Sequence, residues 1–117
     1  MYLTNKTIWD SIQALGSVNE KGKLGYACAH NLRKLMDAGK EFMEVRDRML
    51  QVYGTDDGNG KFEFTPDGAK AFSDAIREYE EIEHEVDVYR IPEEVFTSGD
   101  LTSKHMYVLE WMVKADD

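Results

Sequence analysis

The apolar stripe between Leu24 and Tyr53 constrains the fold more than any other feature of this sequence. Leu24, Ala27, Cys28, Leu32, Leu35, Ala38, Phe42, Val45, Met49, Val52 and Tyr53 recur every three or four residues. That spacing places them on one side of an α-helix. Arg33, Lys34, Asp37, Lys40, Glu41, Glu44, Asp47 and Arg48 fill the other side. Lys40, Glu44 and Arg48 stand four apart, which allows weak pairing along the wet face. Read as one helix, the stretch spans roughly 45 Å. That is longer than a 117-residue globule needs. Either other elements pack along the helix, or part of its stripe meets a partner. Gly39 interrupts the pattern and marks a close approach by another element.

A shorter helix is expected before it, from Lys6 to Leu15. Ile8, Ile12 and Leu15 fall at helical spacing beside Trp9, Thr4 or Asn5 can cap the first N–H groups, and Gly16 stops the element. After the long stripe, Gly54-Thr55-Asp56-Asp57-Gly58-Asn59-Gly60 is a dense turn signal. Phe62-Glu63-Phe64 alternates as a strand does. Thr65-Pro66-Asp67 opens a further helix with a cap, a proline at the first position and an early acid. Phe72, Ile76, Tyr79 and Ile82 give that helix an apolar face, and it is expected to end near Glu83. The β-branched run Val86–Ile91 predicts a second strand, paired with Phe62–Phe64. Pro92–Phe96 reads as one helical turn, and Thr102 caps a last helix that reaches Val113. The expectation is one domain over residues 1–117, α+β and predominantly helical. One long helix and shorter helices pack with a small two- or three-stranded antiparallel sheet, the third strand being Met1–Thr4. A lone hairpin is marginal in water, so the sheet must lie on the long helix.

Charge narrows the classes of partner. The net charge is −9, which disfavours direct binding to nucleic acid, where affinity comes from Lys and Arg displacing phosphate counterions. It disfavours anionic membranes for the same reason. The charge is also uneven. Residues 1–54 hold 8 Lys+Arg against 6 Asp+Glu, a balance of +2, and residues 55–117 hold 6 against 17, a balance of −11. A single cysteine, Cys28, allows no internal disulfide and fits a reducing compartment. Met1–Asp10 lacks the apolar stretch of a signal peptide, and no apolar run has membrane-spanning length. A cytoplasmic protein without a cofactor is expected.

The motifs that could carry chemistry are weak. With Gly60 at the invariant glycine of a calcium loop, Asp57, Asn59 and Glu63 fall at ligand positions, but Thr55 and Pro66 stand where the strongest carboxylate ligands belong. An ordinary turn is the simpler reading. Gly60-Lys61 lacks the earlier glycine and the following Ser or Thr of a phosphate loop. Cys28, His30 and Asn31 are thiol-hydrolase residue types crowded into one helix, where residues two apart such as Cys28 and His30 do not face each other, and Cys28 belongs to the apolar stripe. His30, His84 and His105 lie on three separate elements and show no zinc spacing, so no metal site and no catalytic residue are assigned. Trp9, Trp111, Tyr107 and the methionines read as core before they read as an exposed anchor.

The strongest candidate is the acidic run Glu78, Glu80, Glu81, Glu83, Glu85 and Asp87 around the end of the helix that begins at Pro66. Acids there oppose the helix macrodipole, so the placement costs some stability. One reading is a solvated face. The other is a carboxylate array that docks on a basic partner or mimics nucleic-acid phosphates.

Three stretches carry a resemblance. They are Leu3-Thr4-Asn5-Lys6 leading to Ile12-Gln13-Ala14-Leu15, Tyr53-Gly54 before the Asp/Gly/Asn turn, and Glu83-His84-Glu85-Val86-Asp87-Val88 followed by Ile91-Pro92-Glu93-Glu94. In this order they resemble a loose family of small phage and prophage proteins of Gram-positive bacteria and gut metagenomes, over nearly the whole chain. The shared features are caps, turns and helix patterns without a catalytic signature. The resemblance implies a viral origin and no particular chemistry. Three functions follow as expectations: a non-enzymatic inhibitor that binds a basic host protein such as a defence nuclease, a virion assembly factor, or a small metal-responsive regulator using Asp57, Asn59 and Glu63.

Overall fold

Gly39 divides the long apolar stripe into two helices. The structure, a computed structural model, describes residues 1–114. In chain order its elements are β1 (Tyr2–Thr4), α1 (Asn5–Leu15), α2 (Gly22–Ala38), α3 (Lys40–Tyr53), β2 (Thr55–Asp56), β3 (Phe62–Glu63), α4 (Pro66–Glu80), β4 (Glu83–Glu85), α5 (Glu93–Phe96), α6 (Ser103–Val108) and a 3₁₀ turn at Glu110–Met112. The fold is α+β and predominantly helical, as the periodicities predict. The single long helix is corrected to a pair. At Gly39 the backbone takes φ −89° and ψ 1°. The break is one residue wide, because the Gly39 N–H still donates to the Leu35 carbonyl (2.8 Å) and the Met43 N–H to the Gly39 carbonyl (2.9 Å). The cause is α1. A Cβ at position 39 would stand 3.0 Å from Ile8 Cγ2 and 3.1 Å from the Leu35 carbonyl oxygen, so only glycine lets α1 cross this closely.

The caps behave as the sequence suggests. The hydroxyls of Thr4, Thr65 and Thr102 accept from the N–H groups of Thr7, Gly68 and His105 and begin α1, α4 and α6. α4 ends at Glu80 rather than Glu83, and Ile82, expected on its buried face, is largely exposed.

Strand pairing differs from the expectation. Phe62–Glu63 pairs with Thr55–Asp56, its nearest neighbour in the chain, and not with the later β-branched run. Gly58 (φ 85°) and Gly60 (φ 81°) adopt the left-handed conformation that closes this short loop. The Tyr2–Thr4 segment does join a sheet, but its partner is β4, with Tyr2 opposite Glu85, Leu3 opposite His84 and Thr4 opposite Glu83. There are thus two two-stranded sheets among the described residues instead of one. Val86–Arg90 forms no strand. Val86 bonds to the Met1 backbone, and the Tyr89 backbone is met by a side chain of α2: Asn31, wholly buried, donates from Nδ2 to the Tyr89 carbonyl (2.9 Å) and accepts from the Tyr89 N–H at Oδ1 (2.7 Å). An asparagine amide has the same donor–acceptor pair as a peptide group, so Asn31 stands in for a neighbouring strand.

The main core gathers side chains from both ends of the chain. Leu3, Ile8, Leu24, Leu35, Ile91, Leu109 and Met112 pack in one buried cluster. Trp111 lies half-buried at its edge and donates from Nε1 to the buried Ser11 hydroxyl (2.9 Å). α3, α4 and the β2–β3 hairpin lie outside this cluster, and among their residues only Phe42 and Ile76 are buried. No helix among the described residues is long and apolar enough to cross a membrane.

Candidate interaction surface

The acidic run is divided by the end of α4. Glu80 is half-buried, and its carboxylate lies 3.9 Å from Lys6 Nζ, so it serves the contact of α4 with α1. Glu78, Glu81, Glu83, Glu85 and Asp87 are exposed and have no ion-pair partner among the described residues. Glu83 and Glu85 are two apart on β4 and therefore share its outer face with Tyr2 and Thr4 of β1. His84 points the other way, opposite the buried Leu3. Glu85 and Asp87 line an open groove of about 690 Å³ together with Met1, Val86, Val88 and Arg90. Both cations in that groove are engaged: Arg90 donates from Nε to the Trp111 carbonyl (3.2 Å) and from an Nη to the Val113 carbonyl (2.7 Å), and the Met1 ammonium donates to the Val86 carbonyl (3.2 Å). The five acids keep their charge facing solvent.

A second feature adjoins Asp87 and was not singled out from the sequence. Tyr26 and His30 on α2 meet Tyr89 from the segment after β4. The tyrosine rings are 5.4 Å apart edge to face, and the His30 ring is 5.9 Å from Tyr89. Tyr26 is 63% exposed and Tyr89 44%. The Asp87 carbonyl, 3.1 Å from His30 Nε2, can only accept, so that nitrogen carries the proton. Tyr26 and Tyr89 are far apart in the chain, and the bonds from Asn31 and His30 of α2 to the segment after β4 bring them together. No local pattern signals this. The one legible hint was Tyr26 on the wet side of the α2 stripe.

The residues that looked chemical are dispersed. Cys28 is buried in the core, and that burial, with the Glu20 carboxylate nearby, pushes its thiol up from 9.0 to about 11. It is a protonated thiol at neutral pH and a poor nucleophile. Asn31 is committed to the Tyr89 backbone. In the turn, Asp56 Oδ1 accepts from the Gly58 N–H (2.8 Å) and Asp57 Oδ1 from the Asn59 N–H (2.8 Å), so both carboxylates shape the loop. The described residues bring no three His, Cys, Asp or Glu side chains together as a metal site.

One serine–histidine contact needs separate treatment. A cleft of about 450 Å³ beside α1 and α6 is lined by Asp10, Gln13, Ser17, Lys104, His105 and Tyr107 among others. Ser17 Oγ and His105 Nε2 are 2.8 Å apart. The Thr102 N–H donates to His105 Nδ1 (3.3 Å), completing a capping box, so Nδ1 bears no proton and Nε2 does. The imidazole therefore donates to Ser17, whose hydroxyl donates to the Ala14 carbonyl (2.9 Å). A general base needs the opposite polarity, with the ring accepting from the hydroxyl. The contact ties α6 to the end of α1.

No protein-family model, no curated protein and no solved structure matches this chain.

Proposed function

We propose that the protein is a non-enzymatic binding module whose acidic face engages a basic protein. The observation that carries this reading is the set of exposed carboxylates at Glu78, Glu81, Glu83, Glu85 and Asp87, none with a cationic partner among the described residues. Such a patch raises the rate of encounter with a positive surface and disfavours acidic ones. The exposed tyrosines Tyr2, Tyr26 and Tyr89 stand beside it. Tyrosine contributes large contact area at low entropic cost, and interfaces are enriched in it. With the phage-like sequence pattern, the partner we favour is a nucleic-acid-binding protein of a bacterial host, such as a defence nuclease, whose basic groove the carboxylates would fill in place of phosphates.

The test compares the native chain with a triple variant, Glu81→Lys, Glu83→Lys and Glu85→Lys. These side chains are exposed, so the fold is expected to survive. Pull-down from a bacterial lysate is run at low and high salt. The native chain should capture basic nucleic-acid-binding proteins, and both high salt and the triple variant should abolish that capture. Capture that is unchanged in the variant would sink the reading. Capsid or tail proteins recovered only from infected cells, with native and variant chains alike, would favour a virion assembly role instead.

A further inference from the structure

The strand that carries Glu83 and Glu85 has an open hydrogen-bonding edge. Across the β1–β4 pair the Val86 N–H donates to the Met1 carbonyl (2.8 Å), the Met1 amine to the Val86 carbonyl (3.2 Å) and the Asn5 N–H to the Ile82 carbonyl (2.9 Å). In an antiparallel pair the bonded residues alternate, so Leu3 and His84 form the bonded pair between them. The residues in between, Glu83 and Glu85, turn their N–H and C=O groups away from β1. No described residue hydrogen-bonds to any of these four groups. The edge of β1 is shorter: the Thr4 carbonyl begins α1, so only the Tyr2 groups and the Thr4 N–H face outward there.

We propose that β4 accepts an added strand, and that the occupant is an extended basic segment of the partner protein. This rests on the acidic-face reading above and gives it a binding mode. The charge of the edge selects the occupant. An antiparallel strand laid on β4 sets two of its residues, spaced two apart, directly opposite Glu85 and Glu83, at about 5.5 Å between Cα atoms. Lysine or arginine at both positions would answer both carboxylates, with Glu81 and Asp87 extending the negative field beyond each end. A second copy of this chain is the wrong occupant, because its own β4 would oppose glutamate to glutamate. Carboxylates on an open edge repel such self-pairing, which is how exposed edges escape aggregation. The recognised pattern is therefore basic–any–basic in extended conformation.

The experiment uses the full chain and a seven-residue peptide alternating lysine and threonine, blocked at both ends. A second peptide is the same but N-methylated at the lysine amides, which keeps the charge and removes the donors that would face β4. Affinity is measured by calorimetry, and exchange of the Glu83 and Glu85 amides by NMR. Strand addition predicts that methylation weakens binding at least about tenfold, the expected result of losing two or more backbone hydrogen bonds. It also predicts slowed exchange at Glu83 and Glu85. A Glu85→Pro variant, which deletes an outward N–H and spares the bonds to β1, should mimic methylation. If it fails to fold, the methylated peptide still decides the question on the native chain. Equal affinity for both peptides overturns strand addition and leaves the acidic-face reading standing. So does no binding of either peptide while charge reversal still abolishes capture from lysate. Loss of charge-dependent capture removes both.

Discussion

The body of the protein and its arm are built on opposite principles. The body, formed by β1, α1, α2, β4, α5 and α6, closes on a continuous apolar cluster and is cross-tied by buried polar residues. Asn31 holds Tyr89, Ser11 holds Trp111, and Asn5 donates from Nδ2 to the Tyr79 carbonyl (2.8 Å) at the end of α4. The arm, formed by α3, the β2–β3 hairpin and α4, buries only Phe42 and Ile76 and relies on two helices lying side by side. The molecule is accordingly long, 47 × 28 × 21 Å. Stability scales with buried apolar area, so the body should set the global unfolding free energy and the arm should open beneath it. The acidic strand β4 is anchored in the body by its pairing with β1, while Glu78 rides on α4 of the arm. An interaction face centred on β4 would then persist when the arm opens.

The largest effect should come from the body's centre. Leu35 of α2 is fully buried in the main core. Leu35→Ala should lower the unfolding free energy by about 3–4 kcal/mol, through lost transfer energy and the cavity left behind. Ile76→Ala in the arm should cost roughly 2 kcal/mol or less and should show first as faster amide exchange in α3 and α4. Chemical denaturation with residue-resolved exchange checks both. Equal losses, with equal acceleration across the whole chain, would mean that body and arm form one cooperative unit.

Asn31→Ala comes next. It leaves the Tyr89 N–H and C=O without partners in a part-buried place, at about 1–2 kcal/mol. The loss should be confined to the body and should also free Tyr89 from Tyr26, a change that near-ultraviolet circular dichroism would report. A loss below about 0.5 kcal/mol would mean that water replaces the amide and that the tie is not structural.

What the sequence reveals follows the range of the interactions. Helices announced themselves because their caps and apolar faces are local: Thr65 and Thr102 cap the helices they are expected to cap, and of the two candidates Thr4 and Asn5 it is Thr4 that caps α1. Strand pairing did not, because a β-branched run shows only that the chain is extended and says nothing of what lies beside it. Val86–Arg90 is such a run, and it found the side chain of Asn31. Glu83-His84-Glu85 was the better strand signal, alternating charged and half-buried positions, but as part of the acidic run it was assigned to a helix end. The exposed acids of the candidate face were legible as composition. Their separation from Glu80, the open edge of β4 and the Tyr26–His30–Tyr89 group were not, since each depends on contacts between distant parts of the chain.

Gly39→Ala tests the joint between the two regions. Alanine favours a continuous helix by about 1 kcal/mol over glycine. Here its Cβ would press on Ile8 Cγ2 at 3.0 Å, and such overpacking typically costs about 1–3 kcal/mol. We expect a net loss of about 1 kcal/mol, registered in α1 and α2 by exchange. A stabilised variant would show that α1 can yield and that the bend belongs to the glycine alone.

The smallest effect is expected where the arm touches the body. The Arg46 guanidinium of α3 lies 4.3 Å from the centre of the Trp9 ring on α1 and 5.8 Å from that of Phe72 on α4. One cation thus spans three helices, two of the arm and one of the body. Arg46→Met keeps an apolar stem of similar length and removes the charge, so the change isolates the attraction between cation and ring. At a half-buried site that attraction is about 0.5–1 kcal/mol. If the arm is a separate layer of stability, the global unfolding midpoint should barely move. Exchange in α3 and α4 should instead accelerate a few-fold, and the Trp9 indole resonance should shift while that of Trp111 stays in place. A drop in the global midpoint as large as that of Asn31→Ala would place Arg46 among the ties of the body. The boundary between the two regions would then lie beyond α3 and not at Gly39.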